Sequence, residues 1–499
     1  MTSLHDLDGI FALATSPARA ALHLFRISGA DSWACLTPHL RKSSGSASKT
    51  MAPDQIEPRR PKHLLFVAPD GVVIDDVVVT FFKGPQSFTG EDSAELTSHG
   101  NPLIAAQIQS ALRDTGLREA LPGEFTQRAF RNGKLDLVQA EGIAAIVQAE
   151  TAGGIQLARA ASSGNLSHVF EPIRRDLINV RAHLEAHIDF SEDEVGHIDW
   201  PRIKDLCLKA DDSLQRLEHS YTRGCKIRDG LGILLVGAPN AGKSSLYNAL
   251  LRQDRALVSE EKGTTRDILR ERLIIDGRDF VLLDSAGLRS TDNRIESLGI
   301  ERTWDELNKA DIVLVVIDLS QTELLESLLS THGPMDPWQL LSHLSSKTDT
   351  LQAESSDAKE KEFVLVLSKA DLVPKSTAQT LAHRIEKRMN HGIVVVSVQN
   401  ITELEQALIR AYDRATHSSV SGGSSHALNK TLTTARQRDA VRLARTALHR
   451  ALEQCEPHGL PEMVASDVIA CQQVLEEITG RIAPDDIFQK IFSSFCIGK

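Results

Sequence analysis

The stretch GAPNAGKS, residues 237–244, decides how the rest of the chain is read. An apolar run, Ile233–Val236, leads into it, and SLYNALL continues from Ser245 with helical spacing. Strand, loop and helix in that order form the setting in which GxxxxGK[ST] acts as a phosphate loop. The glycines let backbone N–H groups close around phosphate oxygens, and the helix N-terminus adds its dipole. The pattern gives Lys243 the β and γ phosphates to neutralise and Ser244 a Mg²⁺ ion to hold. Asn240, Ala241, Gly242 and Ser245 complete the nucleotide-contacting loop.

Further motifs follow in the order a nucleotide site needs. Gly263-Thr264-Thr265-Arg266-Asp267 offers Thr265 as a second Mg²⁺ ligand. Asp284-Ser285-Ala286-Gly287 follows the strand-like run Phe280–Leu283. There Asp284 reaches Mg²⁺ through water and the Gly287 amide senses the γ-phosphate. Base identity falls to Ser368-Lys369-Ala370-Asp371, after the run Phe363–Leu367. A carboxylate at Asp371 accepts two N–H bonds from the guanine edge, which adenine cannot supply, so GTP is the expected nucleotide. Ser368 stands where the NKxD element of GTPases carries Asn. Ser397-Val398, after Ile393–Val396, is the last base-contacting loop. Leu288, directly after DSAG, has no hydrogen-bonding end to orient water. Two residues offer a substitute: Asn240 as a monovalent-cation ligand, and Glu296, twelve positions after Asp284, as the group that orients or polarises water. Taken alone, Glu296 reads as a solvated helix residue.

The surrounding chain has 499 residues, room for about three domains of roughly 150 residues. Hydrophobic residues make up 41%, enough for each to bury a core. A net charge of -11 argues against a general nucleic-acid coat while leaving room for a local basic face. The six cysteines form no CxxC pair, which points to a reducing compartment rather than a disulfide framework or zinc site. No apolar run reaches the ~18 residues of a membrane span. The N-terminus reads as mature protein, without a signal or transit peptide.

Four segments emerge. Residues 1–132 mix strands, such as Ala20–Ile27 and Gly71–Phe82, with the helix Pro102–Arg113. Residues 133–229 are helical, with Ile173–Ile188 and Ile203–Ser220 as clear cases. Residues 230–415 alternate apolar runs with helices, the signature of an α/β domain with a mostly parallel sheet. Residues 416–499 open on the linker-like Ser418–Ser425 and return to helices at Leu432–Leu452, Val464–Thr479 and Pro484–Phe492. The expected architecture is multidomain, α/β plus α, with the phosphate-loop domain inserted into a helical domain. Ser43–Pro61 and Gln321–Glu360 read as insertions.

GAPNAGKSSLYNAL, GTTRD, DSAGLR and the terminal FCIGK together resemble the tRNA modification GTPase MnmE (TrmE) family. So do FRISG at Phe25–Gly29, SFTGED at Ser87–Asp92, PGEFTQRAFRNGKLDLVQAE at Pro122–Glu141 and EITG at Glu477–Gly480. The resemblance runs from near residue 8 to Lys499. It implies an N-terminal folate-binding domain that forms a homodimer, a helical domain and an inserted GTPase domain. It implies a potassium-dependent hydrolysis in which K⁺ replaces an arginine finger. By motif match Asn240 is the K⁺ ligand, helped by the loop Ser259–Thr264, including Glu261 and Thr264, and Glu296 matches the catalytic Glu of the family. A reduced folate of the 5,10-methylene or 5-formyl type is the implied one-carbon donor, at Arg26, Glu95, Lys134 and Lys499. Cys496 lies at the implied modification centre. The implied partners are tRNA, whose uridine 34 is modified at C5, and an FAD-dependent MnmG (GidA) type protein. The insertions suggest an organellar, mitochondrial member, with the cytoplasm as the alternative.

The stretch Lys430–Arg450 carries Lys430, Arg436, Arg438, Arg442, Arg445 and Arg450 against one acid, Asp439. It reads either as an RNA-phosphate face or as an ordinary solvated helix. Two other readings of the whole chain stand beside the resemblance: a regulatory GTPase switch without folate chemistry, and a folate-binding scaffold with a weakened nucleotide site.

Overall fold

The computed structural model describes residues 8–42, 56–190, 194, 196–238, 240–253, 271–283, 307, 309–321, 361–386, 393–395, 401–417, 428–481, 488, 491–493 and 495–498. The chain divides into two compact units. One comprises Met1–Gln148, Arg159–Glu218 and Thr434–Lys499; the other comprises Ala149–Ala158 and His219–Thr433.

The first unit contains a seven-stranded sheet. Its strands are β1 (Ile10–Leu13), β2 (Leu22–Ser28), β3 (Leu40–Arg41), β4 (Lys62–Val67), β5 (Val73–Phe82), β6 (Ser93–His99) and β7 (Arg118–Glu119). Their order is β3-β4-β5-β6-β2-β1-β7, antiparallel except for the β1–β7 pair. Alternation along the strands sorts the two faces. Val77, Val79, Phe81, Leu96, Phe25 and Ile27 are buried in one core with Ala105, Ile108, Ala111 and Leu112 of the helix Pro102–Asp114. The intervening Thr80, Glu95 and Arg26 lie on the other, half-exposed face. Asn101 caps the helix by accepting a bond from the Leu103 amide at 2.9 Å. Strand β6 escapes sequence reading because SAELTSH carries only two apolar residues, yet it lies between β5 and β2.

The helices Ala435–Gln454 and Pro461–Thr479 belong to the same unit as Asn165–Asp189. The EITG motif ends the second of them. Gly480 takes φ +80°, and a Cβ there would meet the Phe130 ring at 2.8 Å. That helix therefore stops at a residue whose conformation and space both require glycine. The expected helix Pro484–Phe492 falls largely outside the described residues.

In the second unit a six-stranded sheet runs β13-β12-β11-β8-β10-β9. These are β8 (Leu231–Gly237), β9 (Glu271–Ile275), β10 (Arg278–Leu283), β11 (Ile312–Asp318), β12 (Glu362–Ser368) and β13 (Ile393–Val395). The apolar runs Ile233–Val236, Phe280–Leu283, Ile312–Ile317, Phe363–Leu367 and Ile393–Val396, expected as strands, appear as parallel neighbours. Only β9 runs antiparallel, joined to β10 by an Asp276-Gly277 turn with φ 49° and 72°. Strand β11 is buried along its whole length, as expected for a parallel strand covered on both faces. Leu246 and Leu250 of the helix Lys243–Gln253, with Leu404 and Leu408 of Thr402–His417, cover one face. Ala378, Leu381 and Ile385 of Lys375–Glu386 cover the other. Among the described residues no helix is long and apolar enough to cross a membrane.

Candidate nucleotide site and the N-terminal polar face

Strand β8 sits between β10 and β11, so the chain's direction of winding reverses there. In an open parallel sheet ligands bind outside the carboxyl ends of the strands at that reversal. The phosphate loop leaves β8 at that point. Gly237 has no room for a side chain, since a Cβ would lie 2.2 Å from the Val316 carbonyl oxygen. Asn240 and Gly242 take φ +60° and +93°, which fold the loop back on itself. Ala241 is buried beneath it, while Asn240, Ser244 and Ser245 are exposed.

Lys243 Nζ donates to the carbonyl oxygens of Gly237 at 2.8 Å and Ala238 at 2.7 Å. Burial pushes its pKa below the usual lysine value. The ammonium is therefore held over the loop, partly stripped of water, and an incoming phosphate relieves that cost.

The segment Ser368–Asp371, expected to read the base, is tied to the loop. Ser368 is buried at the end of β12, and its Oγ lies 2.5 Å from the Ala241 carbonyl oxygen and 3.1 Å from that of Ile317. One hydroxyl proton serves one acceptor at a time, and the shorter contact is to the phosphate loop. The structure thus gives the residue in place of Asn a bracing contact. Lys369, at φ 55°, donates to Asp318 Oδ2 at 2.6 Å. Asp318 also accepts from the Ser320 amide and hydroxyl. Burial by itself raises the Asp318 carboxyl; Lys369 and Ser320 more than offset it and hold the pKa below the ordinary value. Asp371 is exposed, in the short turn Ala370–Leu372. Asp318 was not found by motif, although its place at the carboxyl end of an apolar strand is the signal that marks it. Ser259, Glu261, Thr264, Thr265, Asp284, Ser285, Ala286, Gly287, Glu296 and Ser397 lie outside the described residues.

The first unit brings a second group together. Arg26 and Glu95 are register partners on β2 and β6, and Arg26 Nε donates to Glu95 Oε1 at 3.1 Å. Arg26 also reaches the Gly498 carbonyl at 3.4 Å, so the FCIGK tail runs beside this face. Gly498 fits against Ala14, where a Cβ would lie 2.8 Å from its Cα. The guanidinium of Arg26 stands 5.8 Å from the centre of the Phe88 ring. Lys134 donates to the Pro85 carbonyl at 2.9 Å. Cys496 is exposed. Lys499 lies outside the described residues.

The basic stretch Lys430–Arg450 is largely ion-paired. Arg436 is bidentate to Glu141 at 2.7 and 2.9 Å and also donates to the Glu477 and Ile478 carbonyls. Arg445 bonds Asp211 and Glu218, Arg450 bonds Asp467, and Arg438 bonds Asp439. Four of the six cations are engaged within the protein, leaving exposed Lys430 and Arg442. Arg436 and Arg445 serve helix packing, because acids distant in sequence meet them in space.

A glycine loop at the reversal of a parallel sheet, a half-buried lysine above it and a Lys-Ala-Asp loop beside it define a phosphate-loop nucleotide-binding protein of the GTPase type. The family models agree: "GTP-binding protein TrmE N-terminus" matches residues 9–134 and "MnmE helical domain" matches 137–496. The tRNA modification GTPase MnmE of Pseudomonas paraeruginosa is 34% identical over 99% of both chains, and that of Thermotoga petrophila 33% over 99% of this chain and 100% of its own. The FeoB G-domain of Methanococcus jannaschii matches 37% of this chain and 98% of its own at 23% identity, with a TM-score of 0.23. The chain belongs to the MnmE family of tRNA modification GTPases.

Proposed function

We propose that the protein is a potassium-dependent GTP hydrolase that serves C5 modification of the tRNA wobble uridine, with a reduced folate as one-carbon donor and a flavin-dependent partner. The observation that carries the hydrolase reading is the junction of phosphate loop and base loop, where Ser368 braces Ala241 and Lys243 stands over the loop.

In this reading water attacks the γ-phosphorus, the bond to the β–γ bridging oxygen breaks, and GDP leaves with its charge matched by Lys243 and the loop amides. A Mg²⁺ ion held at this loop would supply neutralisation of the phosphate charge. Ser244, exposed at the first turn of its helix, offers a hydroxyl oxygen for it. Asn240 presents an exposed amide oxygen on the same loop, a hard donor that suits K⁺. Glu296 orients the water, the role that Leu288 cannot fill.

The residues described also suit a folate. Glu95 uses one oxygen on Arg26, leaving acceptor capacity for pterin N–H groups, and Lys134 supplies a cation for a carboxylate. Those two side chains would hold the ligand at its two ends, while Arg26 fixes the Glu95 carboxylate.

The test is hydrolysis of GTP and ATP by the purified protein in KCl and in NaCl at equal ionic strength. Turnover restricted to GTP and K⁺ supports the reading. Hydrolysis indifferent to the cation sinks the potassium mechanism.

A further inference from the structure

The polar face of the N-terminal sheet does not end at Glu95. Thr80 is the register partner of Glu95, and Phe82, two residues further and about 7 Å along β5, is the partner of Ser93. Beyond Phe82 opens a groove of about 510 Å³ lined by Arg59, Phe82, Gln86, Ser87, Phe88 and Lys134. Phe88, 43% exposed, joins the groove to the Arg26–Glu95 pair, since it also lies beneath the Arg26 guanidinium.

Two cations converge on this groove. Arg59 Nη2 donates to the Gln86 carbonyl at 2.8 Å, and Lys134 Nζ to the adjacent Pro85 carbonyl at 2.9 Å. Backbone carbonyls thus fix both heads in place without neutralising them, and neither has a carboxylate partner among the described residues. Arg60, one residue away, differs: it pairs with Glu57. Elsewhere in the same unit Arg26, Arg118, Arg128, Arg436 and Arg445 all have carboxylate partners. Two positioned, uncompensated cations flanked by two phenylalanines suit a ligand that joins an apolar body to several carboxylates.

We propose that Arg59 and Lys134 form an acidic-tail subsite, in which Arg59 engages carboxylates beyond the first glutamyl residue on the oligo-γ-glutamyl chain of a reduced folate. The ring end meets Arg26 and Glu95 on the same face, and Phe82 and Phe88 flank the connecting stem. This rests on the reduced-folate reading given above.

The test is calorimetric titration of the full-length protein with the monoglutamyl and triglutamyl forms of 5-formyltetrahydrofolate. Wild type is expected to bind the triglutamate about tenfold more tightly. Arg59→Gln removes that gain and leaves monoglutamate affinity within about twofold. Arg59→Lys restores part of the gain, and Arg60→Gln changes neither affinity. Raising the salt shrinks the gain, because exposed charges are screened. An unchanged triglutamate preference in Arg59→Gln, or no preference in wild type that still binds the monoglutamate, overturns the subsite alone. Failure of wild type to bind either form overturns the folate reading and the subsite with it.

Discussion

Ser368 shows how one side chain links two loops. Its hydroxyl meets a carbonyl of the phosphate loop 127 residues earlier in the chain. Ser368→Ala leaves that buried carbonyl without its donor, at a cost of about 1–3 kcal/mol. The expected result is a GTP KM about tenfold higher with kcat changed far less, read from steady-state kinetics; an unchanged KM counts against the bracing role. The GTPase reading gives Asp371 the choice of base. Asp371→Asn replaces one acceptor by a donor, so the guanine edge is mismatched while a xanthine edge gains a partner. GTP turnover at low substrate is expected to fall at least 100-fold and xanthosine triphosphate turnover to rise. Retained GTP preference would assign base recognition elsewhere.

At the scale of the element, the loop holding SFTGED is joined to the helix Glu124–Arg131 by charge. Arg128, buried, donates to Glu124 at 2.9 Å, to Glu91 at 3.2 Å and to the Asp8 carbonyl at 2.9 Å. Arg118 completes the set with two bonds to Glu124. Burial alone raises the Glu124 carboxyl, but Arg118, the Leu121 amide and Arg128 outweigh it and hold the pKa below 4.5. The sign follows: a depressed carboxylate contributes stability that is full above 4.5 and is lost as pH falls through the folded value. Urea unfolding of Glu124→Gln is therefore expected to reveal a loss of about 3 kcal/mol at pH 7 and a shallower decline between pH 5 and 3 than wild type. Parallel pH profiles would remove Glu124 from that role. Gly480→Ala places a Cβ against the Phe130 ring at positive φ. It should lower stability by about 2 kcal/mol or more, with melting temperature as the readout.

Across the whole molecule, the absence of a hydrogen-bonding side chain at Leu288 leaves water activation to be completed by other parts. The potassium reading places that step in paired GTPase domains of a homodimer. Light scattering and small-angle scattering with GDP, aluminium fluoride and either K⁺ or Na⁺ test it. A compaction or tighter dimer confined to K⁺ is the expected outcome, and Asn240→Ala should abolish the difference. Identical profiles in both salts would disconnect potassium from domain pairing.

The sequence alone determined much, because the deciding signals are local. The phosphate loop is eight consecutive residues, and the parallel strands are uninterrupted apolar runs. A strand such as SAELTSH, with weak alternation, acquired its identity only from β5 and β2 on either side of it. Charge, likewise, was decided by the tertiary structure. The basic stretch Lys430–Arg450 read either as an RNA face or as a solvated helix; folding brought Glu141, 295 positions away, against Arg436 and Asp211, 234 positions away, against Arg445. Arg59 had no distinguishing spacing, and only folding placed it with Lys134 beside one groove, both heads bonded to backbone carbonyls. Periodicity is a property of neighbours along the chain; whether a charge is compensated depends on which distant segments pack against it, and that is settled by the fold.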